Sequence, residues 1–322
     1  TSIRDDTRVQ VTTKMIKHTP VMLDKSIESL DIQKDGCYID ATFGSGGHSL
    51  EILRKIGEKG LLYSLDKDHD VFVSLHKKFQ SDKRFKLEHG CFSDLEKHTK
   101  DWGVYGSVNG ILFDLGVSSH HLDTGDRGFS FQNDGKVDMR FNYNSGISAH
   151  ELINKADEEE LANIIWKYGE EKYSRKIARG IVSARRLSSI NSTLQLSDII
   201  NKCIPKLDTK KNKATRTFQA IRIYVNKELD VLRKALDSSY NILAPRGRLV
   251  LITYHSLEDR VIKNFLVHTD KNLSTPKKLP VEGEFLSKMF KFINKSIKPS
   301  ADEIAANRRS RSAKLSVLER IQ

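Results

Sequence analysis

Cysteine is scarce in this chain, and a long apolar run is missing. The three cysteines, Cys37, Cys91 and Cys203, are far apart in 322 residues and odd in number. A secreted disulfide scaffold is therefore excluded, and a reducing cytoplasm is expected. No Cys/His cluster has zinc-site spacing, so no metal is expected. No apolar run approaches the ~18 residues of a membrane span. Residues 1–14 carry Arg4, Asp5, Asp6, Arg8 and Lys14 without the apolar stretch of a signal peptide. They are read as a disordered extension ahead of Met15, and no membrane partner is expected. Acidic residues are also in deficit, 42 against 54 basic ones, for a net charge of +12. That balance suits a polyanionic partner, although a lysine-rich composition from AT-rich coding gives the same sign.

Two nucleotide signatures are absent as well. A dinucleotide fingerprint, G-x-G-x-x-G, started at Gly44 requires a glycine where Ser49 stands. The Lys-Ser/Thr of a phosphate-binding P-loop is missing too.

What is present is a strand, a glycine turn and a helix. Residues 38–48 read Tyr-Ile-Asp-Ala-Thr-Phe-Gly-Ser-Gly-Gly-His. The apolar run from Cys37 to Ala41 predicts a buried strand, and Gly44, Gly46 and Gly47 a tight turn. Leu50, Leu53 and Ile56 then fall on one helix face. A second apolar run, from Leu61 to Leu65, ends in Asp66, twenty residues after Gly46. A carboxylate there accepts hydrogen bonds from both hydroxyls of a ribose. With no pyrophosphate cradle, the turn suits a nucleoside with an uncharged or zwitterionic tail, the shape of S-adenosylmethionine. A purely structural turn in another α/β protein is the alternative.

The α/β rhythm continues. Phe85–Leu87 and Val108–Phe113 predict further strands, followed by Phe92 and Asp114. In an open parallel sheet, ligands bind beyond the carboxyl ends of the strands, which groups Gly46, Asp66, Phe92 and Asp114 in one crevice. Phe92 has the flat apolar face needed to stack on adenine. Residues 123–212 break the rhythm with predicted helices at 148–155, 157–168, 170–186 and 193–203. Ser148 and Glu151 stand at capping-box spacing. A segment of that length is an inserted helical domain rather than a loop. Its helix over 170–186 carries Lys172, Arg175, Lys176, Arg179, Arg185 and Arg186, suited to phosphate contact or to a solvated face. A long helix is predicted over 215–243, ended by Ala-Pro-Arg-Gly. A fifth strand follows over 248–254, and an edge hairpin over 290–297 and 312–318. A lysine-rich loop is expected over 269–288.

Seven motifs in order then identify a resemblance. They are Asp40-Ala-Thr-Phe-Gly-Ser-Gly-Gly-His48, Asp114-Leu-Gly-Val-Ser-Ser119, Asp126-Arg-Gly-Phe-Ser-Phe131, and Asp134-Gly135 with Asp138-Met-Arg140. Tyr168-Gly-Glu-Glu171, Ala214-Thr-Arg-Thr-Phe-Gln-Ala220 and His255-Ser-Leu-Glu-Asp-Arg260 complete the set. From His18 to Arg320 the chain resembles the RsmH family, also called MraW. These are S-adenosylmethionine-dependent methyltransferases acting on a cytosine N4 amine in the decoding centre of small-subunit ribosomal RNA. The resemblance implies a Rossmann-like class I methyltransferase fold, a mostly parallel seven-stranded sheet, over residues 15–122 and 213–322. The helical substrate domain is inserted over 123–212.

The resemblance also implies roles for single residues. Gly46, Gly47, His48, Asp66, Phe92, Asp114 and His121 become cofactor contacts. His120-His121 replaces a Pro-Gln of some relatives, and imidazole can take the place of the amide. Asn109 stands where relatives often have Asp. Asp114 is expected to accept from the substrate amine, as general base or positioning group, and His255 to approach the base. Arg216, Arg222, Arg308, Arg309 and Arg311 are expected phosphate contacts. The implied partner is small-subunit ribosomal RNA or the ribosomal subunit, in the bacterial cytoplasm. Two other functions fit the same residues: methylation of DNA or a small molecule, and RNA binding without catalysis.

Overall fold

The computed structural model describes residues 20–79, 81–205, 212–271 and 289–321. The extension expected over 1–14 lies outside the described residues, as does the lysine-rich loop from 272 to 288. Residues 269–271 instead end the helix Ser256–Lys271.

Seven strands form one sheet in the order β3-β2-β1-β4-β5-β7-β6. They are β1 (Cys37–Asp40), β2 (Leu61–Asp66), β3 (Phe85–His89), β4 (Val108–Asp114), β5 (Leu243–Thr253), β6 (Phe290–Ile297) and β7 (Lys314–Arg320). The first five are parallel, whereas β7 runs antiparallel to both β5 and β6. This is the Rossmann-like arrangement the resemblance implied, with the expected edge hairpin. The central strands are apolar because both faces are covered: Tyr38 and Ile39 of β1, and Ile111, Leu112 and Phe113 of β4, are fully buried. Asn109, in β4, accepts the Cys37 N–H at 2.8 Å through its side-chain oxygen. The bond ties the amino ends of β1 and β4 together, at the opposite end of the strands from Asp40 and Asp114.

β5 starts earlier than its breaker residues suggest. Val108 pairs with Leu243 and Gly110 with Arg248, so residues 244–247 bulge opposite Asn109. Pro245 and Gly247 thus lie in a bulge, the position in a sheet that tolerates both.

The described residues divide into two compact units. One holds the sheet, with the residues up to Gly116 and those from Asp230; the other is Val117–Leu229. The second unit is wider than the insertion expected from sequence. The expected helix over 215–243 is two helices, Thr215–Asn226 and Glu228–Ile242, broken at Lys227 with φ 52°. The first of them packs in the second unit with Glu158–Gly169, Ser174–Leu187 and Thr193–Cys203. Leu161, Ile165, Ile177, Ile181, Leu196, Ile200, Phe218 and Ile221 bury their side chains there. The capping box at Ser148 and Glu151 is present and starts the helix Ala149–Lys155.

Candidate active site

The strand order reverses at β1: β2 lies on one side and β4 on the other. The carboxyl ends of these strands are where such a sheet leaves room for a ligand, and each ends in an aspartate. Asp40, Asp66 and Asp114 close β1, β2 and β4.

The glycine turn joins them. Gly44 donates its N–H to Asp66 Oδ2 at 2.8 Å, and Asp68 donates its own to Oδ1 at 2.8 Å. Thr42 donates its N–H to Asp40 Oδ1 at 3.2 Å, and its hydroxyl oxygen accepts the Asp114 N–H at 2.7 Å. Ser49, at the place of the missing third glycine, donates its hydroxyl to Asp40 Oδ2 at 2.6 Å and lies 3.0 Å from the Ser64 hydroxyl. The helix therefore meets the sheet through buried hydroxyls. Gly46 caps that helix with φ 79°, and a Cβ there meets the rings of Phe43 and Phe79 at under 3 Å. At Gly47 a Cβ falls 2.2 Å from Pro20. Only glycine fits the pair, and the turn presents bare backbone.

Burial dominates the electrostatics. It pushes the Asp66 and Asp114 carboxyls up to about 7 and Asp40 to about 6, and the charge of Asp40 adds to the first two. Tyr254 opposes this at Asp114 by donating its hydroxyl to Oδ1 at 2.7 Å. Three carboxyls so destabilised as anions favour a cationic ligand, and the sulfonium and ammonium of S-adenosylmethionine supply that charge. Hydrogen-bond acceptors beside a backbone-lined turn also match a ribose.

The remaining expected residues fall in different places. His48 is buried, with Nε2 3.2 Å from the Val21 carbonyl, and burial depresses its imidazole to about 4. Its ring is used within the chain rather than presented at the strand ends. Phe92 opens a short turn after β3, half-buried and edge-on to Phe113 at 5.5 Å. His255 follows β5, with Nε2 3.3 Å from Glu258 Oε1, while the other Glu258 oxygen accepts the N–H groups of Tyr254 and His255. Arg308 and Arg311 are exposed on the turn Arg308–Ser312, just before β7. Since Thr253 pairs with Lys314, that turn lies at the carboxyl end of β5. Arg309, on the same turn, is half-exposed.

His121, Arg216 and Arg222 belong to the second unit. His121 Nδ1 accepts the Ser118 N–H at 3.1 Å, which puts the proton of the neutral ring on Nε2. Its ring packs against Phe129 and Phe141, at 4.7 and 5.0 Å, and those two rings stack on each other at 5.3 Å. Arg216 is exposed and donates to the Glu170 carbonyl at 3.2 Å. Arg222 corrects the sequence expectation. Its guanidinium is mostly buried and held by both oxygens of Glu228 at 2.8 and 2.9 Å, so its charge is already matched. On the helix Ser174–Leu187, by contrast, Arg175, Lys176, Arg179 and Arg186 are exposed.

Asp40, Thr42 and Tyr254 were not singled out as site residues from sequence. The first two lie inside the Asp-Ala-Thr motif, which was the available signal. Tyr254 has none, because its partner is 140 residues away.

The ribosomal RNA small subunit methyltransferase H of Legionella pneumophila (strain Corby) is 45% identical over 95% of this chain and 100% of its own length. The protein of that name from Coxiella burnetii (strain RSA 331 / Henzerling II) is 43% identical over the same shares. Among solved structures, an rRNA methylase from Streptococcus thermophilus aligns over 93% of both chains with TM-score 0.39 and 11% identity. NSun6 from Pyrococcus horikoshii, determined with SFG, aligns over 94% of this chain and 53% of its own, with TM-score 0.42 and 13% identity. A model of the MraW methylase family matches residues 15–321, and the chain belongs to that family.

Proposed function

We propose that the protein methylates small-subunit ribosomal RNA, using S-adenosylmethionine, at the exocyclic N4 amine of a cytosine in the decoding centre. The observation that carries this reading is the acidic rim around a bare glycine turn, at the strand ends of a methylase-family sheet. The names of the Legionella and Coxiella relatives support the small-subunit RNA substrate.

In this reading the backbone of Gly46, Gly47 and His48 lies along the cofactor, and Asp66 accepts from the ribose hydroxyls. Phe92 covers the adenine, and Asp114 lies near the transfer site. His121 supplies a neutral Nε2–H where some relatives have an amide. S-adenosylmethionine brings an already activated methyl group, so the protein's main work is orientation. The cytosine amine is a weak nucleophile because its lone pair is delocalised into the ring. A carboxylate accepting one of its N–H bonds localises that pair and takes the proton as transfer completes. Reaching a buried methyl requires the base to leave its stack. Arg308, Arg309, Arg311 and Arg216, with the exposed cations of Ser174–Leu187, hold the phosphates. The enzyme works in the cytoplasm, where ribosomal subunits are its partner.

Mass spectrometry of small-subunit RNA nucleosides tests this reading, comparing cells with and without the active protein. Loss of one N4-methylated cytidine in the cells without it is expected. Identical nucleoside profiles rule the reading out.

A further inference from the structure

We propose that Tyr254 is a positioning residue for methyl transfer: its phenol fixes the Asp114 carboxyl so that Oδ1 is engaged and Oδ2 is turned to the substrate amine. The proposal rests on the reading of Asp114 as the acceptor for that amine.

The geometry is specific. Tyr254 follows the last residue of β5 and Asp114 ends β4, and the two strands are parallel neighbours in register, Asp114 opposite Ile252. The phenol donates to Oδ1 at 2.7 Å, while Oδ2 accepts no hydrogen bond among the described residues. Both ends of the pair are held. Tyr254 donates its N–H to Glu258 Oε2 at 2.7 Å, and its ring lies where a Cβ on Gly116 touches it at 3.6 Å. Asp114 donates its own N–H to Thr42. The carboxyl thus has a defined rotamer with one oxygen spent, which leaves a single direction for a second donor.

The charges around the pair favour this division. Asp40 faces Asp114 and disfavours its anion; Tyr254 is the group that favours it. Glu258 and Glu303, with Asp114, face Tyr254, and with burial they hold its phenol well above the ordinary range. The phenol therefore stays protonated and keeps donating. In the step itself the amine nitrogen forms a bond to the methyl carbon as the C–S bond breaks. The bonding pair remains on sulfur, and the amine proton passes to Asp114 Oδ2 and then to water. The bond from Tyr254 favours the ionised form of Asp114 that the transfer needs.

The test is Tyr254→Phe, which removes one hydroxyl and preserves the ring. Because the phenol lowers the Asp114 carboxyl, its loss raises it. The acid limb of the kcat profile for methylation of small subunits should move up by about one pH unit. A second readout needs no cofactor: 13C NMR titration of aspartate carboxyls in the apo protein should show the Asp114 resonance titrating higher by a similar amount. S-adenosylmethionine affinity at about pH 8, above the normal carboxyl value, should change less than threefold. Unmoved titration and profile overturn the inference. So does an affinity loss with an unmoved pH profile, since Asp114 then serves the cofactor alone. Failure of the unaltered protein to methylate small subunits would count against the proposed function instead, while the apo titration would still judge the Tyr254 bond.

Discussion

Gly44 donates its backbone N–H to the Asp66 carboxylate at 2.8 Å, so the glycine turn and the acidic end of β2 are one structural piece. The same carboxylate accepts from Asp68, which shapes the chain after the strand. Asp66 thus sets the turn's conformation and also faces a ribose in the proposed complex.

Removing it should register in two measurements. Asp66→Ala is expected to weaken S-adenosylmethionine binding by about 2–4 kcal/mol, the worth of charge-assisted hydrogen bonds to two hydroxyls. It should also lower folding stability by about 1–3 kcal/mol, because the Gly44 N–H loses its acceptor. Calorimetry and denaturant unfolding separate the two effects. Unchanged affinity in a folded variant removes Asp66 from the site.

Cofactor binding should depend on pH with a definite sign. Asp66 and Asp114 are held up at about 7 and Asp40 at about 6. A cation favours the ionised carboxyls, so binding near pH 6.5 should release protons. S-adenosylmethionine affinity should rise as pH rises through about 6 to 7 and level off above. The product, S-adenosylhomocysteine, lacks the sulfonium charge and should show a shallower rise. Titrations in buffers of different ionisation enthalpy measure the proton count directly. In the unliganded protein these raised carboxyls stabilise the fold most below about pH 4, and that contribution is lost as pH climbs through their folded values. His48, lowered to about 4, acts in the opposite sense: its contribution is present above about 6.5 and lost as pH falls through 4. A cofactor affinity that stays flat across pH 5.5–8, roughly the span of the folded values, contradicts the acidic-rim account.

The arginine turn before β7 should act on RNA alone. Replacing Arg308, Arg309 and Arg311 by Ala is expected to weaken subunit binding and to flatten its salt dependence. For every phosphate left unneutralised, the log–log slope should fall by about 0.7–0.9. Cofactor affinity should hold. A shifted melting temperature with an unaltered slope would assign these side chains to the sheet edge instead.

Where one element decides its own conformation, the sequence was enough. β1, β2 and β4 are apolar runs ended by aspartate, and the helix Ala149–Lys155 begins at a capping box. Where distant residues decide, it was not. Lys227 breaks a helix in a conformation usually marked by glycine. The neighbouring Asn226 anchors that place by donating to the Met139 carbonyl and accepting the Phe141 N–H. Arg222 looked available because Glu228, six residues on, is off its helical face until the chain bends at Lys227. In β5, Pro245 and Gly247 read as a stop, whereas pairing with β4 turns them into a bulge. At the site, the glycine turn and the three aspartates were visible as motif residues. The hydrogen bonds that make them one rim needed the sheet.

The chain leaves the sheet after β4 and returns to it only with β5, with Val117–Leu229 between. This ordering has a kinetic consequence. A structureless tether of that length makes pairing of β5 with β4 a slow, entropically opposed closure, whereas an intervening unit already folded on its own helices shortens the effective loop. The helices should therefore gain protection in pulse-labelled hydrogen exchange before β5 does; simultaneous protection would argue against a stepwise order. Asp114 ends β4 and Tyr254 directly follows β5, so their hydrogen bond forms only once β4 and β5 have paired. Chains in which β5 has not yet paired with β4 then lack the oriented Asp114 carboxyl of the proposed mechanism, so competence for that chemistry waits on this closure.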